Sequence, residues 1–432
     1  MLFNLLLFFS LLTSELSSAG MVYVKIGSPE FKRPILAFHS KCMREDNVCP
    51  QMQEVGSIFT SDMLLSNTFI MLPKETMPAE NEKENIAAWK VSGAEYLVYM
   101  DFDKRSVGLR LIMLSTGQEI ATETISLSGS EVDAAHSISD LVYRKLTGEP
   151  SIFKSKIAMI CGTEGNRNKN LFVMDYDGRR VTQLTSYKSI CVSPAWSPDG
   201  KYIAYTRYVK KYYRGRGNIV NQELYLYNVR SKRETLLSNT IGQNSGAAWS
   251  PDGKTIAFTM SKEENPNIYM VSVEDKEPSL LIKNIGLNVE PDFSPDGKYI
   301  VFSSSKSGNP ELYKFELATG QQTRLTFSRY YNSSPAWSPM GDMIAFAGLD
   351  NPFGTRSYFD IFLVSPTGTK IERLTIDSGS NEDPSWSGDG RHLIYSSTRN
   401  KGSDIYMIHN DGTGEKQLTK GIKCYSPSWS KF

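Results

Sequence analysis

From residue 156 onward, short apolar triplets alternate with clusters of Ser, Pro, Asp and Gly. One set runs Ile157-Ala158-Met159, Ile203-Ala204-Tyr205, Ile256-Ala257-Phe258, Ile300-Val301-Phe302, Ile344-Ala345-Phe346 and Leu393-Ile394-Tyr395. A second set follows each of these, from Leu171-Phe172-Val173 to Ile405-Tyr406-Met407. Runs this short and this rich in β-prone residues, bounded by turn formers, predict buried strands. An aromatic-Ser step recurs at Trp196-Ser197, Trp249-Ser250, Phe293-Ser294, Trp337-Ser338, Trp386-Ser387 and Trp429-Ser430, at spacings of about 43 to 53 residues. The Ser-Pro-Asp-Gly that follows, as at Ser197 to Gly200, sets Pro where a tight turn begins and Gly where a left-handed φ closes it. A Leu-Thr pair, as at Leu184-Thr185 and Leu374-Thr375, marks a fourth strand.

Four strands per repeat make one blade of a β-propeller. The first unit has no aromatic-Ser step before Ile157, and Trp429-Ser430 has no unit after it. If residues 424 to 432 form the innermost strand of the first blade, the halves complete each other. The expected fold is therefore an all-β six-bladed β-propeller closed by the C-terminal strand, with no open blade left over. Ahead of it the repeat is absent. Strands are predicted at Val22 to Ile26, Pro34 to Phe38, Glu95 to Met100, Val107 to Leu114 and Glu119 to Leu127, and helices at Gln53 to Leu65 and from the N-cap Ser130 to the stop at Gly148. The division reads as 1–19 signal peptide, 20–150 small α/β domain and 151–432 propeller.

Charge changes the functional picture more than composition does. Lys plus Arg number 48 against 47 Asp plus Glu, so no overall field draws in nucleic acid or an anionic membrane. The apolar run Leu2 to Leu12 followed by Ser17-Ser18-Ala19 predicts export, and no later segment reaches eighteen apolar residues, so no stable membrane insertion is expected. A soluble monomer outside the cytoplasm follows. Of the five cysteines, Cys42 and Cys49 stand closest and are the expected disulfide. Cys191 and Cys424 each precede their Trp by five residues, in blades that ring closure makes neighbours, which suggests a second bridge.

Catalytic chemistry finds little footing. No Gly-x-Ser-x-Gly elbow and no phosphate loop is present, the cysteine spacing matches no zinc signature, and the ring holds only His392 and His409, both outside the innermost strands. No metal and no cofactor are expected. Glu290 and Asp292 near a channel mouth keep a metal-dependent propeller hydrolase as the rival reading, with a cell-wall-fragment binding module as a third.

The motif Pro194-Ala195-Trp196-Ser197-Pro198-Asp199-Gly200-Lys201, the stretch Ala135 to Ile157 with Asp140 and Lys145-Leu146-Thr147-Gly148, and Arg33-Pro34-Ile35 resemble the TolB family of the Gram-negative Tol-Pal envelope system. The chain departs from that pattern at Cys42 to Cys49, at Met340 in place of the turn Asp and at Gly388 in place of the turn Pro. The resemblance implies a non-enzymatic periplasmic adaptor. It would bind a peptidoglycan-associated lipoprotein (Pal) at the propeller mouth and a TolA-like inner-membrane protein through Val22, Tyr23, Val24, Lys25 and Ile26, supporting outer-membrane integrity and constriction at cell division. The residues just before each Pro-x-Trp are expected on one rim: Gln243, Asn244, Asn288, Glu290, Asn332, Asn381 and Glu382, polar groups suited to a wet protein interface. The family often has His where this chain has Gln243. Two lengthened loops, Arg207 to Gln222 with Lys210, Lys211, Tyr212, Tyr213, Arg214 and Arg216, and Gly348 to Tyr358, are expected on the same face.

Overall fold

Residues 32–431, apart from 46–47, 80–82, 84, 163–166, 216, 264, 328–330, 350–357, 377 and 401, are described by a computed structural model. The export segment and the expected partner-binding strand Val22 to Ile26 lie outside the described residues, as does most of Gly348 to Tyr358.

The N-terminal strands are β1 (Ile35–Cys42), β2 (Ile70–Met71), β3 (Tyr96–Phe102), β4 (Ser106–Met113) and β5 (Gln118–Ser126). They form one sheet in the order β2-β1-β3-β4-β5, with β1 parallel to both β2 and β3. Helices α1 (Gln51–Leu65), α2 (Ile86–Val91) and α3 (Glu131–Thr147) cover it on both sides. Alternation in β3 shows why: Tyr96, Val98, Met100 and Phe102 face the core shared with Val55, Phe59, Ile138 and Val142, while Leu97 and Tyr99 face Trp89 of α2. The Ser130 cap stands as expected, its Oγ accepting from Val132 N at 3.2 Å, and Gly148 ends α3 at φ +74°. Helix α2 was not legible, because six residues are too few to display a helical period.

The propeller begins with blade one, β6 (Lys156–Gly162), β7 (Asn170–Asp175) and β8 (Thr182–Gln183). Blade two is β9 (Cys191–Trp196), β10 (Tyr202–Tyr213), β11 (Gly217–Asn228) and β12 (Arg233–Ser238); blade three is β13 (Asn244–Trp249), β14 (Thr255–Glu263), β15 (Asn265–Ser272) and β16 (Ser279–Ile282). Blade four is β17 (Asn288–Phe293), β18 (Tyr299–Ser304), β19 (Glu311–Glu316) and β20 (Gln322–Arg324); blade five is β21 (Tyr331–Trp337), β22 (Ile344–Leu349), β23 (Phe359–Val364) and β24 (Ile371–Arg373). Blade six is β25 (Asn381–Trp386), β26 (His392–Ser397), β27 (Asp404–His409) and β28 (Lys416–Gln417), after which β29 (Lys423–Trp429) returns to pair with β6. Trp429 lies opposite Ile157, and Lys156 N donates to Ser430 Oγ at 2.8 Å. The predicted ring closure is therefore present.

Turn chemistry accounts for the register between first and second strands. In blade two Ser197 Oγ donates to Asp199 Oδ1, Tyr202 N donates back to Ser197 Oγ, and Gly200 takes φ +66°. The same bonds recur at Ser250, Ser294 and Ser387. Gly388 replaces Pro for a local reason: a Cβ there would lie 2.2 Å from the Lys431 carbonyl oxygen. The blade cores lie between neighbours, as when Trp249, Ile256 and Phe258 pack on Ala204, Leu224 and Leu226.

The disulfides divide into one expected and one corrected. Cys42 and Cys49 are bridged, with Cα atoms 5.7 Å apart. Cys424 is bonded to Cys161 rather than to Cys191, which is free and buried. Cys424 and Cys161 are direct cross-strand partners on β29 and β6 with Cα atoms 4.2 Å apart, whereas Cys191 belongs to the adjacent sheet. Facing sheets pack about 10 Å apart, beyond disulfide reach.

Candidate functional site

Strand direction fixes two unlike faces. Each innermost strand runs from one face to its Trp-Ser turn on the other, so the loops entering innermost strands and those between second and third strands share the first face. The N-terminal domain occupies the second. There His392 Nε2 meets the Leu65 carbonyl at 3.0 Å, Arg391 donates to the Tyr143 hydroxyl, and Trp429 Nε1 donates to Ser155 Oγ at 2.8 Å. A buried cluster completes this junction. Asp62 accepts from His136 Nδ1 at 2.9 Å and from the Tyr176 hydroxyl, and Arg179 Nε donates to Asp177 at 2.7 Å. Asp62, His136 and Asp177 lie close enough to share an ion, yet Asp62 and Asp177 already accept these donors, which makes the group a polar clasp between the domains.

The first face opens onto the central channel. Its mouth is built on a bulge repeated in all six innermost strands, where Ser193, Gly246, Glu290, Ser334, Asp383 and Ser426 all have φ between +44° and +62°. The bulge turns these residues toward the axis, where they line the mouth. Asp383 accepts from Ser334 Oγ at 3.1 Å and from Ser426 Oγ at 2.7 Å, and Glu290 accepts from Ser334 N at 2.7 Å, so two carboxylates lace blades four, five, six and one together. One layer deeper, Asp292 accepts from Trp337 N at 2.6 Å and from Phe293 N at 3.0 Å. Enclosure by the ring raises Glu290 to about 7, with Asp383 and Glu382 adding repulsion, and enclosure alone raises Asp292 to about 7. Burial, then Asp383, also pushes Glu382 upward.

Seven rim residues were expected from the sequence, and they separate into two groups. Glu290 lines the mouth, Glu382 stands near enough to Glu290 to repel it, and Gln243 is half-buried with its Nε2 donating to Ser245 Oγ at 2.8 Å. The four asparagines are a correction: Asn244, Asn288, Asn332 and Asn381 are buried. Asn332 Nδ2 donates to Glu311 at 2.8 Å, Asn381 Nδ2 to Asp360 at 3.1 Å, Asn288 Nδ2 to Asn267 at 3.0 Å and Asn244 Nδ2 to the Gln222 carbonyl at 2.7 Å. Each amide ties its incoming loop to the third strand of the preceding blade, so none offers its side chain to a partner. Cys191 and Cys424 occupy the same position in the two remaining blades.

Large apolar residues are among those exposed on that face, and the sequence reading missed them. Ile285 is 89% exposed, Phe327 68% and Ile376 68%, each on a loop entering an innermost strand, with Leu287, Tyr331 and Tyr358 beside them. The available signal was an apolar residue directly after Leu325-Thr326 and Leu374-Thr375, where blades one and six have Ser186 and Lys420. An acidic mouth framed by exposed aliphatic and aromatic residues has the make-up of a candidate interaction surface. Asp383 was also missed, although it occupies the pre-proline position that Glu290 does.

These features define a closed six-bladed propeller with the N-terminal domain on one face and an acidic channel mouth on the other. The chain belongs to the TolB propeller family: the model of the TolB beta propeller domain matches residues 143–432. The Tol-Pal system protein TolB of Alcanivorax borkumensis is 32% identical over 223 residues, 49% of each chain, and that of Polaromonas sp. is 30% identical over 238 residues, 54% of this chain and 50% of the relative. The matched part thus spans about half the length of these curated relatives. In fold the chain is similar to TolB from Acinetobacter baumannii, with a TM-score of 0.77 at 23% identity over 93% of this chain and 97% of that one.

Proposed function

We propose that this protein is a non-enzymatic adaptor of the Tol-Pal system that works in the periplasm, binding a peptidoglycan-associated lipoprotein across the open face of its propeller. The observation that carries the reading is the face itself: Glu290 and Asp383 line the mouth with Glu382 near both, Ile285, Phe327 and Ile376 are exposed around it, and among the described residues no domain packs over them. A basic or hydrogen-bond-donating segment of the partner meets the carboxylates, and the apolar residues supply the buried area. The names of its relatives support the Tol-Pal assignment. Under the same reading Val22 to Ile26 engages a TolA-like inner-membrane protein, and the whole supports outer-membrane integrity and constriction at division. Asp292 has both carboxylate oxygens engaged by backbone N–H groups, which favours a scaffold role for it over catalysis.

The test is the affinity of the purified protein for the peptidoglycan-associated lipoprotein of the same organism. Glu290→Arg with Glu382→Arg, and separately Ile285→Ser with Ile376→Ser, should each weaken binding by tenfold or more, in line with roughly 1.4 kcal/mol or more per hot spot. Unchanged affinity in both double variants rejects the face as the docking site.

A further inference from the structure

The longest pair of strands in the molecule is not explained by the propeller. Second and third strands have six residues each in blades four, five and six, but β10 and β11 have twelve each. The innermost strand β9 reaches only Cys191, opposite Arg207. One more step is covered by the incoming loop, where Tyr208 N donates to the Ile190 carbonyl at 2.9 Å and Ser189 Oγ donates to the Tyr208 carbonyl. Beyond it the pair continues as a free two-stranded ribbon to Tyr213 and Gly217, rising from the open face. Expected from the sequence as a lengthened loop, Arg207 to Gln222 is instead mostly continuous strand.

Backbone groups alternate sides along a strand, so Lys210 and Tyr212 direct N–H and C=O the same way as Tyr208, toward the channel side. No strand lies there among the described residues. Their side chains share one ribbon face with Gln222, Val220 and Asn218, where Tyr212 is 73% and Val220 62% exposed. The other face is satisfied, Lys211 pairing with the buried Glu223. Among the described residues neither Lys210 nor Arg214 has an ion-pair partner.

We infer that the β10–β11 ribbon is a strand-docking edge that takes an extended acidic segment of a partner protein. The inference rests on the open face being a docking surface and names one mode of engagement there. A two-stranded ribbon is marginal alone in water, and an added strand satisfies its open donors and acceptors. Charge selects the occupant. A second copy of this chain would bring Lys210 and Arg214 against their like, which disfavours edge-to-edge pairing, whereas Asp or Glu side chains on an incoming strand pair with them and its apolar residues cover Tyr212 and Val220.

The probe is a fluorescein-labelled ten-residue peptide alternating Glu with Val, compared by fluorescence anisotropy with the same peptide carrying Lys for Glu, on the full chain. The acidic peptide should bind at least tenfold more tightly, weaken with added salt, and slow amide exchange at Lys210 and Tyr212. Lys210→Pro, which removes an inward N–H without touching the β10–β11 bonds, should cost tenfold or more, and Lys210→Gln less. Replacing residues 209–221 by Asn-Gly should abolish binding and gives the same reading if the proline variant does not fold. Equal affinity for both peptides, binding that survives the shortened hairpin, or peptide-independent dimerisation overturns the inference. The Glu290→Arg, Glu382→Arg variant should bind the peptide normally, so failure at the mouth and failure at the ribbon are separable.

Discussion

Asp292 and Glu290 sit two residues apart on β17 and illustrate what enclosure does to a carboxyl group. Asp292 ordinarily ionises near 3.8 and is held up to about 7 by the ring around it. Between these values the unfolded chain has released its proton and the native chain has not, so stability contributed by the neutral form is complete below 3.8 and declines as pH rises toward 7. Asp292→Asn should flatten that slope. Comparing urea midpoints at pH 4.5 and 7.5, the wild type should lose about 1–3 kcal/mol relative to the variant, less than the full shift because the lumen admits water. A parallel loss in both proteins shows that Asp292 is not the group responsible. The channel carboxylates are thus part of how the blades cohere as well as part of the mouth.

Among elements, β29 has the largest consequence for its length. It closes the sheet of blade one, its Trp429 reaches Ser155 before β6, and Cys424 is bonded across to Cys161. Cys161→Ser with Cys424→Ser should lower stability by about 2–4 kcal/mol while leaving the far-ultraviolet spectrum unchanged, and the denatured wild type should titrate with a single free thiol, that of Cys191. More than one free thiol contradicts the pairing. This closure was legible because strand patterning and turn chemistry are local: Trp429 without a following unit and Ile157 without a preceding one are complementary in the sequence itself. The disulfide partner was not, since the repeat aligns Cys424 with Cys191, whereas the bond is set by the register of β29 on β6. The buried asparagines were misread for a related reason. Their partners, Glu311 and Asp360, stand 21 residues away on the third strand of the preceding blade, and an isolated polar residue before a Pro gives no sign of which way it turns. The ribbon was read as loop because Lys210, Lys211 and Arg214 mask the alternation of Tyr208, Val209, Val220 and Asn221.

On the scale of the molecule, the N-terminal domain and the open face lie at opposite ends of the channel, and the domain is joined through a continuous core. Phe59, Tyr143 and Phe153 share that core with Ile157, Met174 and Trp429. Tyr176→Phe removes a buried donor from Asp62 and should cost about 1–3 kcal/mol. The loss should appear in calorimetry as earlier unfolding of the N-terminal domain, separated from the propeller transition; a single transition at unchanged temperature shows that the clasp does not couple the two. Blade one also bears on the order of assembly. Its sheet draws one strand from the beginning of the repeat array and one from the far end, some 270 residues on. A ribosome that has delivered only five blades has delivered a chain with an unfinished seam, so the native ring forms only once β29 has emerged, and the polypeptide stays threadable until then.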